Sequence, residues 1–263
     1  MPVCVTVSIK KVEESDQAAS ATLEVENLTK HFGEIKAVSG VDLSIKKGEM
    51  HTVIGPNGAG KTTLFNLISG TLRPTKGVVR FNGEDVTDNG LSERTRKGVT
   101  RVYQSAQIFP ELPVRENLRV AAQSLDRSLN PFSQQKEEHT VRAEEMLELL
   151  DMYSKADSKA SSLSHGNKKR LEIGMSLATE PDCLLLDEPT SGVSEEDSQR
   201  IIEQLIGLTQ DITVLLIEHD IDIVVEVSDR ISALENGQLI AQGTPDEIQQ
   251  NKRVQQAYLG DYV

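Results

Sequence analysis

The chain has 263 residues and a formal net charge of −13 at pH 7, from 28 basic and 41 acidic residues. This acidic balance argues against a nucleic acid-binding protein, because contacts to phosphates need clustered lysines and arginines. The two cysteines, Cys4 and Cys183, are too few for a disulfide framework and fit a reducing compartment. No apolar stretch approaches the ~18 residues that span a bilayer, so we expect the protein to reach any membrane by docking onto it.

Residues 1–21 include an acidic stretch rich in serine and alanine, which predicts a partly ordered extension ahead of one folded domain in residues 22–263. Apolar and polar residues then alternate with a period of two, a pattern typical of half-buried strands. The apolar positions of this pattern are Leu23, Val25, Val41, Leu43 and Ile45. Together with a further strand at Val78–Phe81, which ends in the Asn82-Gly83 turn signal, they predict an antiparallel β element.

The run GPNGAGKTT between these strands predicts a site for a nucleotide phosphate. It fits the pattern G-x-x-x-x-G-K-[ST], in which glycines let successive backbone N–H groups point inward at an anion. Lys61 is expected to reach the β- and γ-phosphates, and the Thr62 hydroxyl to bind Mg²⁺. The nucleotide-binding residues that this pattern predicts are Gly55, Pro56, Asn57, Gly58, Ala59, Gly60, Lys61, Thr62 and Thr63.

The residues on either side support this prediction, because the pattern carries meaning only between a buried strand and a helix. Val53 and Ile54 lead into the loop as a strand, and apolar residues with helical spacing follow it as far as Gly70. An ordinary glycine-rich turn is the alternative. The flanking strand and helix favour a phosphate loop over such a turn.

Helical periodicity is predicted from about residue 113 to residue 163, with a polar break at residues 124–135. Within it, Ala143, Leu147 and Leu150 share one face of a helix. We expect these three residues to face a core and the glutamates between them to lie towards solvent.

The run CLLLDE predicts a buried parallel strand that delivers two carboxylates, Asp187 and Glu188, to the edge of a sheet. Asp187 is expected to hold Mg²⁺ through water, and Glu188 to polarise an attacking water. Taken alone, an apolar strand that ends in two acids is more often a solvated strand end. The remaining predicted elements are a helix near residues 195–207, a strand at 213–217, a helix at 220–227 and a hairpin around Asn236-Gly237.

Upstream of the two acids, the run LSHGNKKRLEIG resembles the signature of the ATP-binding cassette family, which usually reads LSGGQ. The other motifs of the family follow in the same order: the phosphate loop, Gln104, the signature, the two acids, a loop around residues 191–194 and His219. The resemblance extends over nearly the whole chain from about Leu23. It implies a single ATPase domain of α/β class, with a P-loop, RecA-like core, an antiparallel β subdomain and an inserted helical subdomain at about residues 108–165.

The resemblance also implies roles for individual side chains in ATP hydrolysis. Gln104 is expected to bind Mg²⁺ and the attacking water, and His219 to contact the γ-phosphate. Phe32 lies where family members stack a ring on the adenine base, although a core phenylalanine is the alternative, and a structural histidine is the alternative for His219. Ser164 and Gly166 of the signature are expected to face an ATP held by a second subunit in a head-to-tail dimer.

Three residues depart from the family pattern. His165 replaces the first glycine of the signature, and Asn167 replaces its glutamine. Because Ser164 and Gly166 remain, we expect activity to be retained. Ser194 stands where many members carry an aspartate, which leaves communication between the two subunits open.

Several passages resemble the importer subfamily for branched-chain amino acids and related amides, namely FNLISG, LEIG and the ending GTPDEI…VQQAYLG. Within it, the chain is similar to the larger of two paired ATPases. The resemblance implies ATP and Mg²⁺ as cofactors, a second homologous cassette, two transmembrane permease subunits and, indirectly, an extracytoplasmic substrate-binding protein. It places the chain at the cytoplasmic face of the cell membrane. Three alternatives stay open: a urea or short-chain amide importer, lipopolysaccharide export and iron–sulfur cluster assembly.

Overall fold

The computed structural model describes residues 21–102, 108–124, 135–208 and 212–259. Its strands are β1 (Ala21–Phe32), β2 (Ile35–Lys46), β3 (Met50–Ile54), β4 (Lys76–Phe81), β5 (Glu84–Asp85), β6 (Val99–Val102), β7 (Cys183–Asp187), β8 (Thr213–Ile217), β9 (Arg230–Glu235) and β10 (Gln238–Gly243). Its helices are α1 (Lys61–Ile68), α2 (Leu91–Arg96), α3 (Val114–Gln123), α4 (Gln135–Leu149), α5 (His165–Leu177), α6 (Glu195–Leu208), α7 (Ile221–Val227), α8 (Pro245–Gln249) and α9 (Lys252–Leu259). The predictions for Gln104 and for nearly all of the N-terminal extension lie outside the described residues.

The elements predicted around the sequence motifs are confirmed. β3 and α1 flank the phosphate loop, and β7 ends at the two acids. The helix α6, the strand β8, the helix α7 and the β9–β10 hairpin follow in the predicted order.

Four strands form an antiparallel sheet in the order β2-β1-β4-β5, which confirms the predicted antiparallel element. Leu23 and Val25 of β1 are buried as the alternating pattern predicts. The sheet lies beside the phosphate loop, because both contact the turn of the β9–β10 hairpin. The Ser39 N–H donates to the carbonyl oxygen of Gly237 at 2.8 Å, and the Gly237 N–H donates to the carbonyl oxygen of Ala59 at 2.9 Å.

The second sheet has six strands in the order β10-β9-β3-β8-β7-β6, and they are parallel except for the β9–β10 hairpin. Its inner strand β7 is apolar up to Asp187 because both faces of the sheet are covered. Leu184 and Leu186 point into one hydrophobic core, whereas Cys183 and Leu185 point into the other.

The carboxyl ends of β3, β8 and β7 meet at one edge of this sheet. Val53 of β3 pairs with Ile217 of β8, and Ile217 pairs with Asp187 of β7. The phosphate loop follows β3, His219 follows β8 shortly after it ends, and Glu188 follows β7 directly. The parallel register therefore brings together three segments that are far apart in the sequence.

Helices α3, α4 and α5 share a hydrophobic core with one face of the parallel sheet, whereas α1 packs in the core shared with the antiparallel sheet. Ala143, Leu147 and Leu150 are fully buried, as their spacing predicts. A Cβ on Gly174 of α5 would overlap the Leu150 side chain, so a glycine there lets α5 pack closely. Among the described residues, we find no helix with the length and hydropathy that a bilayer crossing requires.

Candidate nucleotide site

The loop between β3 and α1 is shaped by two glycines that approach other backbone segments closely. Gly60 has φ 102°, and a Cβ there would overlap the carbonyl oxygen of Ala37 in β2. A Cβ on Gly55 would overlap the carbonyl oxygen of Leu234 in β9. The loop is thus held between two strands, and it leads into the start of α1, where the N–H groups of a helix attract anions.

Lys61 is the first residue of α1, and its side chain is largely buried. Its ammonium group donates to the carbonyl oxygens of Gly55 at 2.5 Å and of Pro56 at 3.2 Å. Burial lowers the pKa of Lys61 below its usual value, and the carboxylates of Glu188 and Asp187 act in the opposite direction. The lysine therefore lies over the loop and within electrostatic reach of both acids.

Asp187 ends β7 as a buried carboxylate, and its Oδ2 accepts a hydrogen bond from Arg101 Nη2 at 2.9 Å. Burial raises the pKa of Asp187 above its usual value, although the Arg101 guanidinium opposes that shift. The other oxygen, Oδ1, is buried and has no hydrogen-bond partner within the described part of the chain. A buried acceptor without a donor is costly, so this oxygen is free to take a ligand.

Glu188 and His219 form a pair at the same edge of the sheet. His219 Nε2 and Glu188 Oε1 lie 2.6 Å apart, and the two side chains are 41% and 24% exposed. Glu188 has φ 51°, a left-handed backbone conformation that is rare for a residue with a side chain. Its N–H donates to the carbonyl oxygen of Ile217 at 2.9 Å, which fixes the turn against β8. Both side chains can therefore meet a ligand that enters from solvent.

Glu218, a residue that sequence reasoning missed, joins the loops that carry this pair. It is buried, and its two carboxylate oxygens accept from the Thr190 N–H at 3.2 Å and the His219 N–H at 3.1 Å. One carboxylate thus ties the loop after β7 to the loop after β8. An acid directly before a predicted histidine was the signal in the sequence. Sequence reasoning also missed Arg101, for which the signal was a cation inside an apolar strand.

The signature segment stands at the start of α5. Ser164 caps this helix: its hydroxyl accepts from the Asn167 N–H at 3.2 Å and from the Asn167 side-chain amide at 2.8 Å. A Cβ on Gly166 would overlap the carboxyl group of Asp197 in α6, so a larger residue would displace it. The helix packs against α3, α4 and α6, while Ser164 and His165 are exposed to solvent.

Phe32 ends β1 with 47% of its surface exposed, and Lys30 Nζ lies 5.2 Å from the centre of its ring. The alternative of a core phenylalanine is therefore wrong. An exposed ring offers a face to a planar base, and the contact with adenine stays a prediction.

The structure thus brings the phosphate loop together with Asp187, Glu188 and His219. Thr62 lies exposed at the start of α1. Ser164 and Gly166 lie at the start of α5, which packs in a different hydrophobic core from α1. Gln104 lies outside the described residues.

Comparison with known proteins identifies the family. The family model described as ABC transporter matches residues 38–191, and the model described as Branched-chain amino acid ATP-binding cassette transporter matches residues 238–263. BraF of Pseudomonas aeruginosa, a high-affinity branched-chain amino acid transport ATP-binding protein, is 37% identical over 91% of this chain and 98% of its own length.

Two solved structures are similar over most of the chain. An ATP-binding cassette of an ABC transporter in its ADP conformation has a TM-score of 0.80 and 34% identity, covering 91% of this chain and 99% of that one. A dimeric ATP-binding cassette in a post-hydrolysis state, bound to ADP and Pi, has a TM-score of 0.73 and 29% identity, covering 85% and 98%. The chain therefore belongs to the ABC transporter family, as one of its ATP-hydrolysing cassettes.

Proposed function

We propose that this chain is the cassette that energises an importer of branched-chain amino acids. The observation that carries the proposal is the match of residues 238–263 to a family model of branched-chain amino acid transporters, since a shared ATPase core does not tell one transporter from another. In this segment, β10 and α8 pack against β9 of the parallel sheet. The name of BraF, which is similar along nearly its full length, supports the same class of cargo.

We propose that the phosphate loop binds ATP. The N–H groups of residues 57–63, which include the start of α1, receive its phosphates. Lys61 donates to the loop's own carbonyl oxygens in the structure, and a bound triphosphate offers it stronger, charged acceptors. Phe32 is proposed to stack on the adenine base.

The residues at the strand edge fit a magnesium ion that arrives with the nucleotide. Mg²⁺ takes oxygen ligands, keeps several waters and is bound through one or two carboxylates together with substrate phosphates. Asp187 offers a buried oxygen that lacks a hydrogen-bond partner in the described part of the chain, and Thr62 offers an exposed hydroxyl. We assign these two residues and Gln104 to the ion, which supplies positive charge next to the transferred phosphate.

Glu188 is proposed to act as the general base on the attacking water. A base must lie within hydrogen-bond reach of that water, and the partly exposed carboxylate of Glu188 leaves space for it. His219 contacts the same carboxylate, so it can orient Glu188 and also meet the γ-phosphate. Gln104 is proposed to help orient the water.

Ser164 and Gly166 are proposed to complete the nucleotide site of a second, homologous cassette bound head to tail. They stand at the start of a 13-residue helix, where a small side chain and the N–H groups of the first turn suit an anion. The similar cassette that was solved as a dimer with ADP and Pi supports such an assembly.

The segment at Phe109 and Leu112 is proposed to dock onto a membrane permease at the cytoplasmic face. Phe109 is 45% exposed, whereas its backbone is fixed by the buried Asn117. The Asn117 side chain accepts from the Phe109 N–H at 2.7 Å and donates to the carbonyl oxygens of Phe109 at 3.1 Å and Pro113 at 2.9 Å. An exposed ring on a fixed backbone supports a docking surface rather than an internal hinge. We propose residues 108–165 as the helical subdomain that transmits the motion.

Purification of the chain from detergent-solubilised membranes of its host tests the proposed function. We expect a second cassette and two permease subunits to co-purify, and vesicles containing the complex to take up leucine when ATP is supplied inside them with the extracytoplasmic substrate-binding protein outside. The same complex carrying Glu188→Gln is the matched control, because it should assemble but not transport. Uptake of urea without leucine, or co-purification with iron–sulfur scaffold proteins, would contradict the proposal.

A further inference from the structure

Arg101 joins two parts of the nucleotide site that the motifs leave separate. It lies on β6, opposite Leu185 of β7, and its side chain is only 6% exposed. One terminal nitrogen donates to Asp187 Oδ2 at 2.9 Å, and the other donates to the side-chain oxygen of Asn66 in α1. The guanidinium centre lies 5.9 Å from the centre of the Phe65 ring. One side chain thus connects the helix of the phosphate loop with the acid at the end of β7.

This arrangement is more specific than stability alone requires. Burying two opposite charges costs desolvation, and a well-packed apolar pair of similar volume often stabilises a fold as well or better. Arginine is also the cation whose planar fork can direct two hydrogen bonds at once to separate acceptors. Here the fork occupies Asp187 Oδ2 and leaves Asp187 Oδ1 without a hydrogen-bond partner in the described residues.

We propose that Arg101 is a positioning residue for the magnesium-binding carboxylate. Its fork fixes the rotation of Asp187 relative to α1, through Asn66, so that Oδ1 faces the hydration shell of the ion that the nucleotide brings. Partners that orient a metal-binding side chain without touching the metal commonly tune its affinity. The inference rests on the proposed role of Asp187 in binding Mg²⁺.

The test compares the affinity of the full chain for a fluorescent ATP analogue in excess Mg²⁺ and in EDTA. The dissociation constant in EDTA divided by that in Mg²⁺ is called here the magnesium gain. It measures the contribution of the metal to affinity separately from that of the phosphate loop, and it needs no turnover. In Arg101→Met we expect the magnesium gain to fall by ~10- to 100-fold, as for other partners of metal ligands. Affinity in EDTA should stay within about twofold, because the contacts described for Arg101 are to Asn66, Asp187 and Phe65, which lie outside the phosphate loop.

Two further variants distinguish the effect of the positive charge of Arg101 from that of its hydrogen bond to Asn66 in α1. Arg101→Lys keeps the positive charge but lacks the fork, so we expect a magnesium gain between those of wild type and Arg101→Met. Asn66→Ala keeps the pair of Arg101 and Asp187 but cuts the link to α1, and we expect a loss of about fivefold, the effect of one hydrogen bond. If Arg101→Met does not fold, these two variants decide the question alone.

Arg94→Met is the matched control, because Arg94 is also a buried arginine that contacts α1. Its Nη1 donates to the carbonyl oxygens of Leu67 at 2.7 Å and Ile68 at 2.5 Å, at the far end of that helix from the phosphates. We expect this variant to lower the melting temperature and to leave the magnesium gain intact.

An unchanged or larger magnesium gain in the Arg101 and Asn66 variants overturns the inference, as does an equal loss in Arg94→Met. Asp187→Asn distinguishes the inference from its premise. If Asp187→Asn keeps the full magnesium gain, the proposed magnesium site is wrong. If Asp187→Asn loses that gain while Arg101→Met retains it, only the role of Arg101 is wrong.

Discussion

The strand edge and the signature helix are prepared for ATP to very different degrees. At the strand edge, Asp187 is bonded to Arg101 and His219 contacts Glu188, each from a distant part of the chain, whereas the buried Lys61 bonds back to Gly55 in its own loop. At the start of α5, the exposed Ser164 side chain bonds, among the described residues, only to Asn167, three residues further along. The single chain therefore preorganises the strand edge by itself, whereas it leaves Ser164 exposed, as the proposed head-to-tail pairing with a second cassette requires.

The difference has a physical origin in the two kinds of element. Parallel strands in register force their carboxyl ends to one edge, so the residues that follow them must converge. A helix end imposes no such convergence, and it needs only a cap. Ser164 supplies that cap to α5, and Ser194 supplies it to α6 by accepting from the Asp197 N–H at 3.2 Å. The departure at Ser194 thus has a local structural role, whatever it does between subunits.

The largest expected effect lies at the strand edge. Glu188→Gln should lower steady-state hydrolysis by ~10²-fold or more, because the amide cannot accept a proton from the attacking water. ATP binding should persist, since the side chain keeps its size and does not belong to the loop. Phosphate release and nucleotide titration measure the two quantities. A hydrolysis rate within about twofold of wild type would show that Glu188 is not the base.

Lys61→Ala should separate binding from chemistry at the same edge. We expect ATP affinity to fall by ~10- to 100-fold, the usual worth of a hydrogen bond to a charged group. Lys97→Ala is a suitable control, because Lys97 is a surface lysine paired with Glu84 at 2.7 Å and lies outside the site. Titration of both variants with a fluorescent ATP analogue is the measurement. Equal affinities for the two variants would remove Lys61 from the phosphate site.

Gly166→Ala should affect only the signature at the start of α5, which is proposed to act on a second cassette. The added methyl group would displace Asp197 and disturb the start of α5, so we expect roughly tenfold slower hydrolysis in the assembled complex, a typical cost of overpacking. Binding of ATP to the isolated chain should be unchanged. Gly207→Ala in α6 is the matched control, because its added methyl group meets open space. If the isolated Gly166→Ala variant lost ATP binding, the signature would not be separate from the nucleotide site of its own chain.

The strand edge could be predicted from the sequence because each of its parts has a local signal. The glycine pattern, the apolar run that ends in Asp187 and Glu188, and the strand before His219 can all be read without knowing the sheet order. The fold followed from the same patterns, since period-two and helical spacing set strands and helices one at a time.

The contacts that fix the site could not be predicted in this way. Arg101 bonds to partners 35 and 86 residues away, and no periodicity specifies that β6 lies next to β7. The buried Glu218 and Asn117 likewise act on backbone groups whose positions depend on tertiary packing. In each case the sequence shows a polar residue among apolar ones. This indicates that the residue has a buried partner, but it does not identify that partner.

Phe109→Glu extends the comparison to the surface that we propose docks onto a permease, and it carries the smallest expected effect. Because Asn117 holds the Phe109 backbone and the ring is exposed, basal hydrolysis by the isolated chain should stay within about twofold. Leucine uptake by reconstituted vesicles should fall roughly fivefold, as expected when an aromatic residue is lost from an interface. Val141→Glu, at an exposed apolar residue of α4, is the control for added charge. Intact uptake by Phe109→Glu would exclude this segment from the permease contact, whereas a joint loss of stability and basal hydrolysis would identify it as a hinge.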